Sequence, residues 1–175
     1  MALLRATLLL VLLSAVPGSA QAPEYDVKAA FLFNFVKFVE WPADAFAGER
    51  APVTICVFGK DPFGRVLDSV IQGERLGERS LVVRRPDRLD GLDACHVLFV
   101  SPSEKDRMTE VLARVEGEPV LTVGDTDGFL RAGGVVNFKL EGTKVRFVID
   151  QGAAERSGLR ISSKLLRLAM TPGGR

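Results

Sequence analysis

Apolar and polar positions along the chain fall into short blocks of two kinds. Val53 to Phe58 (VTICVF), Ser80 to Arg84 (SLVVR), His96 to Val100 (HVLFV) and Pro119 to Val123 are brief, apolar and rich in β-branched residues. Each runs into Gly, Pro or Ser within two residues, which predicts strands. The near-continuous apolarity of His96–Val100 and Pro119–Val123 predicts strands covered on both faces. Between these blocks the spacing turns helical. Glu24 to Glu40 predicts one helix. Phe63, Val66, Leu67, Val70 and Ile71 predict a second, behind Asp61 as N-cap and Pro62 at the first helical position, stopping near Gly73. Met108, Val111, Leu112 and Val115 form one stripe of a third, behind the capping box Ser101-Pro102-Ser103-Glu104.

After Gly133-Gly134 strict alternation takes over. Val136, Phe138 and Leu140 share one face, and Val145, Phe147 and Ile149 share a face of the next run, across a turn region at Glu141-Gly142. That pattern predicts a hairpin. A short helix near Ala153 to Arg156, a stop at Gly158 and a last helix from about Ser162 to Ala169 complete the chain. Strands alternating with helices, then a terminal hairpin, predict an α/β fold. Its expected form is a three-layer sandwich with a mostly parallel sheet and a C-terminal β-hairpin.

Residues 1–20 have a different texture. Arg5 gives a positive n-region, Leu8 to Val16 an apolar h-region, and Gly18-Ser19-Ala20 the small residues a signal peptidase requires. A cleavable signal peptide is expected, cut after Ala20; a cut after Ala22 also fits but leaves Pro23 next to it. The apolar run falls short of the roughly twenty residues that a membrane-spanning helix needs. Residues 21–175 are then expected to form one domain, in the periplasm.

The whole chain carries 23 Lys and Arg against 22 Asp and Glu. Arg5 is the only charge in the leader, so the exported part is formally neutral, which argues against a nucleic-acid partner held by bulk charge. Cys56 and Cys95 are the two cysteines. In an oxidising compartment they fit a disulfide closing a loop of about 40 residues; two separate buried thiols are the alternative.

The helix from Glu24 holds Phe31, Phe33, Phe35 and Phe38, four of the chain's 11 phenylalanines, and leads into its one tryptophan, Trp41. Lys28, Asn34, Lys37 and Glu40 interrupt it, against a membrane span. Its apolar surface is wider than one sheet face needs to cover. Phe31, Phe35, Phe38 and Trp41 are therefore expected either in the core or shared with a second subunit in a homodimer.

Candidate chemistry is sparse. Gly59 to Gly64 sits between a strand and a helix as a phosphate loop would, but Arg65 and Val66 stand where Lys and Ser or Thr are required. His96 is the one histidine, beside Cys95, and neighbours on a strand point to opposite faces, so the two do not converge on one centre. Asp125-Thr126-Asp127-Gly128 resembles the start of a calcium loop, yet Phe129 and Val136 occupy later ligand positions. No enzyme, metal or cofactor is expected. Arg160, Lys164 and Arg167 share a stripe of the last helix, opposite Ile161, Leu165 and Leu168, either as a solvated face or as a docking surface.

Two longer stretches carry a family likeness. KAAFLFNFVKFVEWP, from Lys28 to Pro42, resembles the opening signature of YfiR/HmsC-like periplasmic proteins. VRFVID, from Val145, and GLRISSKLLRLA, from Gly158, are similar to the closing signature, with ICVFGKDPFG and ACHVLFVS in order between them. The resemblance implies a periplasmic repressor that binds the sensor domain of an inner-membrane diguanylate cyclase and holds it inactive, limiting cyclic di-GMP and biofilm formation. A sensor kinase is the other expected class of membrane signalling partner. The resemblance also implies dimerisation and a Cys56–Cys95 pair; a second cysteine pair known in some members has no counterpart here. Phe147, Leu159, Ile161 and Lys164, in the hairpin and last helices, are the expected partner-binding residues. The alternative is a small-molecule-binding input module with its ligand near Gly59 to Gly64, serving a membrane sensor or transport system.

Overall fold

The computed structural model describes residues 21–171; the expected leader lies outside them. α1 (Gln21–Phe38) opens the fold, followed by β1 (Val39–Glu40), β2 (Val53–Phe58), α2 (Arg65–Ile71), β3 (Arg75–Leu76) and β4 (Arg79–Arg84). Then come β5 (Val97–Val100), α3 (Met108–Arg114), β6 (Leu121–Gly124), β7 (Val136–Glu141), β8 (Lys144–Ile149), α4 (Gln151–Arg156), β9 (Arg160–Ile161) and α5 (Ser163–Leu168). Seven strands form one sheet in the order β3-β4-β2-β5-β6-β7-β8, and β1 and β9 form a separate two-stranded ribbon.

The five central strands run parallel, while β3 on one edge and β8 on the other are antiparallel. The chain enters at β2, moves out to β4 through α2, then crosses back past β2 to β5 and moves the other way through α3 to β6. Crossovers of one hand that travel in opposite directions must place their helices on opposite faces. That produces the three layers.

Alternation along each strand divides the core accordingly. Ile55, Val57, Val97, Phe99, Leu121, Val123, Val136, Phe138 and Phe147 share a cluster with α1, α2, α4 and α5. Cys56, Phe58, Leu98 and Val100 pack with Val111, Leu112 and Val115 of α3 and with Phe129. Phe129 is completely buried because Gly124 and Gly134 lie against its ring; a Cβ on Gly134 would come within 2.2 Å of it and one on Gly124 within 2.5 Å.

α1 settles onto the first cluster. Ala29, Leu32, Phe35 and Val36 are fully buried, whereas Phe31, Phe38 and Trp41 are half-buried. The rings of Phe31 and Phe35 lie 5.2 to 6.2 Å from each other and from those of Phe138 and Phe147 on the hairpin. Burying a side chain of this size contributes about 1.5–3 kcal/mol, so the aromatic run fixes α1 to the hairpin. Among the described residues no helix is long and apolar enough to cross a membrane.

The starts of α2 and α3 differ from expectation. Asp61 and Pro62 precede a turn rather than a helix, and α2 begins only at Arg65, because Gly64 takes φ +53°, outside the helical region. Behind the Ser101 cap the chain first makes a 3-10 helix, Pro102–Arg107, and becomes α-helical at Met108.

Candidate functional site

In an open α/β sheet the natural binding crevice lies beyond the carboxyl ends of the strands, where the strand order reverses. Here that point is between β2 and β5. The chain itself laces across it, leaving a cleft of about 470 Å³ lined by Gly59, Lys60, Pro86, Ser103, Glu104 and Arg107 among others. The Ser101 hydroxyl donates to the Lys60 carbonyl at 2.7 Å, and the Lys60 N–H donates to Ser103 Oγ at 2.9 Å. Gly59, at φ +91°, permits this approach, since a Cβ there would lie 2.5 Å from Ser103 Oγ.

Two further backbone donors of the loop are also occupied. Asp61 Oδ1 accepts from the N–H groups of Phe63 at 2.7 Å and Gly64 at 3.3 Å, and Asp61 Oδ2 accepts from Arg85 Nε at 2.7 Å. Arg85 in turn donates to the Gly64 carbonyl and to both carboxylate oxygens of Asp68. The Arg85 hydrogen bond holds the Asp68 carboxyl below its ordinary value. A built-in carboxylate thus fills the position of a bound phosphate in the Gly59–Gly64 loop.

Next to the crevice, α1 places a charged cluster that local sequence did not reveal. Lys28 is 3% exposed, and its ammonium bonds to Glu24 one turn earlier and to Asp125 Oδ2 at 2.7 Å. The Tyr25 hydroxyl donates to the same Asp125 oxygen at 2.9 Å, and the ammonium sits 4.3 Å from the Tyr25 ring centroid. Burial, then the Asp125 charge, push the Tyr25 phenol far above its usual range. Asp125 Oδ1 is buried with no partner. A cleft of about 430 Å³ adjoins the cluster, lined by Lys28, Asp125, Phe138 and Leu140 among others. The signal that finds this group is the lone lysine on the buried stripe of α1, and its partner is 97 residues away.

Cys56 and Cys95 form a disulfide, tying β2 to the residue pair that leads into β5. His96 faces away from it and is fully engaged. Its Nδ1 accepts from the Thr54 N–H at 3.1 Å, so Nε2 carries the proton and donates to the Ala45 carbonyl at 3.1 Å. Phe46 stacks on the ring at 4.5 Å between centroids, and burial lowers the imidazole pKa. Among the described residues no group of three or more His, Cys, Asp or Glu side chains is placed to hold a metal ion.

The four expected partner-binding residues do not share a surface. Phe147 and Leu159 are each 1% exposed and belong to the core, because Phe147 packs on α1 and Leu159 lies beneath the start of β9. Ile161 is half-buried and Lys164 is exposed. One more residue joins Lys164. Leu168, expected on the packed side of the last helix, is 63% exposed, one turn beyond Lys164 on the same face, while Leu165 is buried. α5 ends at Leu168, and the chain leaves in extended form to bridge Met170 to Val148, so among the described residues nothing covers that last turn.

A family profile described as YfiR/HmsC-like matches residues 25–170, from the first turns of α1 through α5. The chain belongs to the YfiR/HmsC-like family. That makes it a member of a group of periplasmic regulatory, non-catalytic proteins. Among solved structures it is similar to a conserved domain protein from Vibrio cholerae O1 biovar El Tor, with a TM-score of 0.54 at 9% identity. The match covers 84% of this chain and 59% of that one, and it shows the fold alone. In the YfiR/HmsC-like chain described here, hydrogen bonds cross the crevice, the histidine is spent on backbone bonds and the cysteines are paired.

Proposed function

We propose that the chain is exported and acts as a periplasmic repressor. It binds the periplasmic domain of an inner-membrane signalling protein of the diguanylate cyclase type and holds it inactive, which lowers cyclic di-GMP and biofilm formation. A binding protein does this by preferring the inactive form of its target, which shifts the population away from the active one. The family supports the regulatory role, and the observation that carries the contact is the outer face of β9 and α5. Leu168 at 63% exposure and half-buried Ile161 supply the apolar part, and exposed Lys164 and Arg167 the basic part, with Arg160 paired to Glu40 beside them. Apolar centres with charged rims are the usual anatomy of protein interfaces.

The test pairs capture with a cellular readout. Tagged protein is used to retain partners from detergent-solubilised membranes, and cyclic di-GMP is measured in cells lacking the gene. The proposal expects a membrane signalling protein retained by the wild type and lost by Leu168→Asp with unchanged melting, and a rise in cyclic di-GMP on deletion. Retention of no membrane signalling protein under oxidising or reducing conditions, with cyclic di-GMP unmoved, refutes it. The small-molecule alternative would use the cleft beside Gly59 and Lys60 rather than the Phe63 and Gly64 amides, which already serve Asp61.

A further inference from the structure

The sheet edge at β4 is only partly closed. β3 pairs with Arg79 and Ser80 and then stops, because Gly73 and Glu74 turn up into α2. On the inner side β4 pairs with β2 from Leu81 to Arg84. On the outer side, among the described residues, Leu81 to Arg84 have no strand partner. In a parallel strand alternate residues aim their N–H and C=O groups outward, so this stretch presents an unused ladder.

A groove runs along that ladder. It holds about 850 Å³ between α2 and β4, with Leu81, Val83 and Ile71 in its floor and Asp68, Ser69 and Gln72 on the helical wall. Ile71 and Leu81 are buried and Val83 is half-buried, so the floor is apolar. Arg85 at one end is committed to Asp61 and Asp68. Arg65 and Arg84 are exposed, and among the described residues neither has a carboxylate within ion-pair distance. Apolar floor, open ladder and the unpaired Arg65 occur together on this face, while Arg84 stands at the same edge on the opposite face of β4.

The geometry points to strand addition. An extended segment of a partner protein adds beside Leu81–Arg84, in line with β3, with β-branched residues at alternate positions and carboxylates near Arg65 and Arg84. Main-chain hydrogen bonds would supply affinity and the groove floor specificity, as in other edge-strand recognition. A second copy of this chain is a poorer occupant. A two-fold copy of β4 would carry its own Arg85 and Pro86 into the space that β3 holds, whereas a peptide can simply end there. This surface lies at the opposite end of the sheet from β8, and the inference does not depend on the α5 contact.

The test uses the exported chain and one probe, the acetylated and amidated peptide DVTVTVD. Backbone amide shifts are followed by NMR, with its N-methylated counterpart as control. The expected result is saturable shifts confined to Leu81–Arg84 and α2, absent with the control, and weakened at least about fivefold by Arg65→Glu with Arg84→Glu. Both arginines are exposed, and a melting curve confirms that the double variant folds. No binding, shifts elsewhere, or binding indifferent to the double variant overturns the inference. So does a dimer in sedimentation whose interface maps to β4, which would make a second copy the occupant. Leu168→Asp should leave peptide binding intact, so failure of the α5 proposal is read separately.

Discussion

Replacing Lys28 by Met keeps the length and apolar stem of the side chain but removes its charge. The ammonium is 3% exposed and serves Asp125, whose side chain is 6% exposed, and Glu24, at 18%. Breaking a buried ion pair by removing one partner costs about 3–5 kcal/mol, because the remaining charge is left in a poor solvent. The value here should lie at the lower end, about 3 kcal/mol. The Tyr25 hydroxyl still donates to Asp125, and Glu24 can turn toward water. Asp125 Oδ1 already has no partner, so the carboxylate has little further help to recruit. Urea unfolding should show that loss at neutral pH, and thermal melting a drop of about 6–12 °C. Adding Asp125→Asn removes the stranded charge, so the double variant should be more stable than Lys28→Met alone. A Lys28→Met cost under about 1 kcal/mol, or strictly additive losses in the double variant, would refute the coupling.

Three further outcomes are expected. Cys56→Ala with Cys95→Ala opens a loop of separation 39 and should cost about 4 kcal/mol in the chain-entropy description; equal melting of oxidised and reduced wild type would sink that account. His96 has a folded pKa lowered mainly by burial, so below its unfolded value the unfolded chain binds the extra proton. Stability should therefore fall as pH drops below about 6.5, and His96→Gln should flatten that part of the profile; an unchanged slope would show that other groups cause it. Gly134→Ala forces a methyl group into the Phe129 ring and should cost about 1–3 kcal/mol. Adding Phe129→Leu should relieve part of that cost, and no relief would mean that backbone strain, not ring contact, is responsible.

The strands and the hairpin were legible because each carries its own period. β2, β5 and β6 read as apolar blocks, and the pairing of Phe138 with Phe147 follows from alternation across a two-residue turn. The disulfide was legible as one of two alternatives. The ribbon of β1 and β9 was not, since two residues carry no period and the pairing of Val39 with Ile161 is long-range. Burial misled at the surface. Phe147 and Leu159 look like ordinary apolar residues in a charged tail, and only the position of α1 and the ribbon shows that they are covered. Leu168 erred the other way, because helical spacing does not reveal that the helix ends there. In the sequence Lys28 is a polar interruption of an apolar helix. Its meaning depends on Asp125, and no local pattern links residues that far apart.

The disulfide also decides how the molecule would bear a load. Cys56 and Cys95 enclose α2, β3 and β4 within one covalent loop of separation 39. Tension applied between the two ends of the domain would pass from sulfur to sulfur and bypass that loop. Roughly 140 Å of chain would stay out of the stretched contour until the bond is reduced. The β4 groove lies inside this unloaded segment. Pulling on the domain would therefore strip away α1, the hairpin and α5 without drawing out the chain that forms the groove.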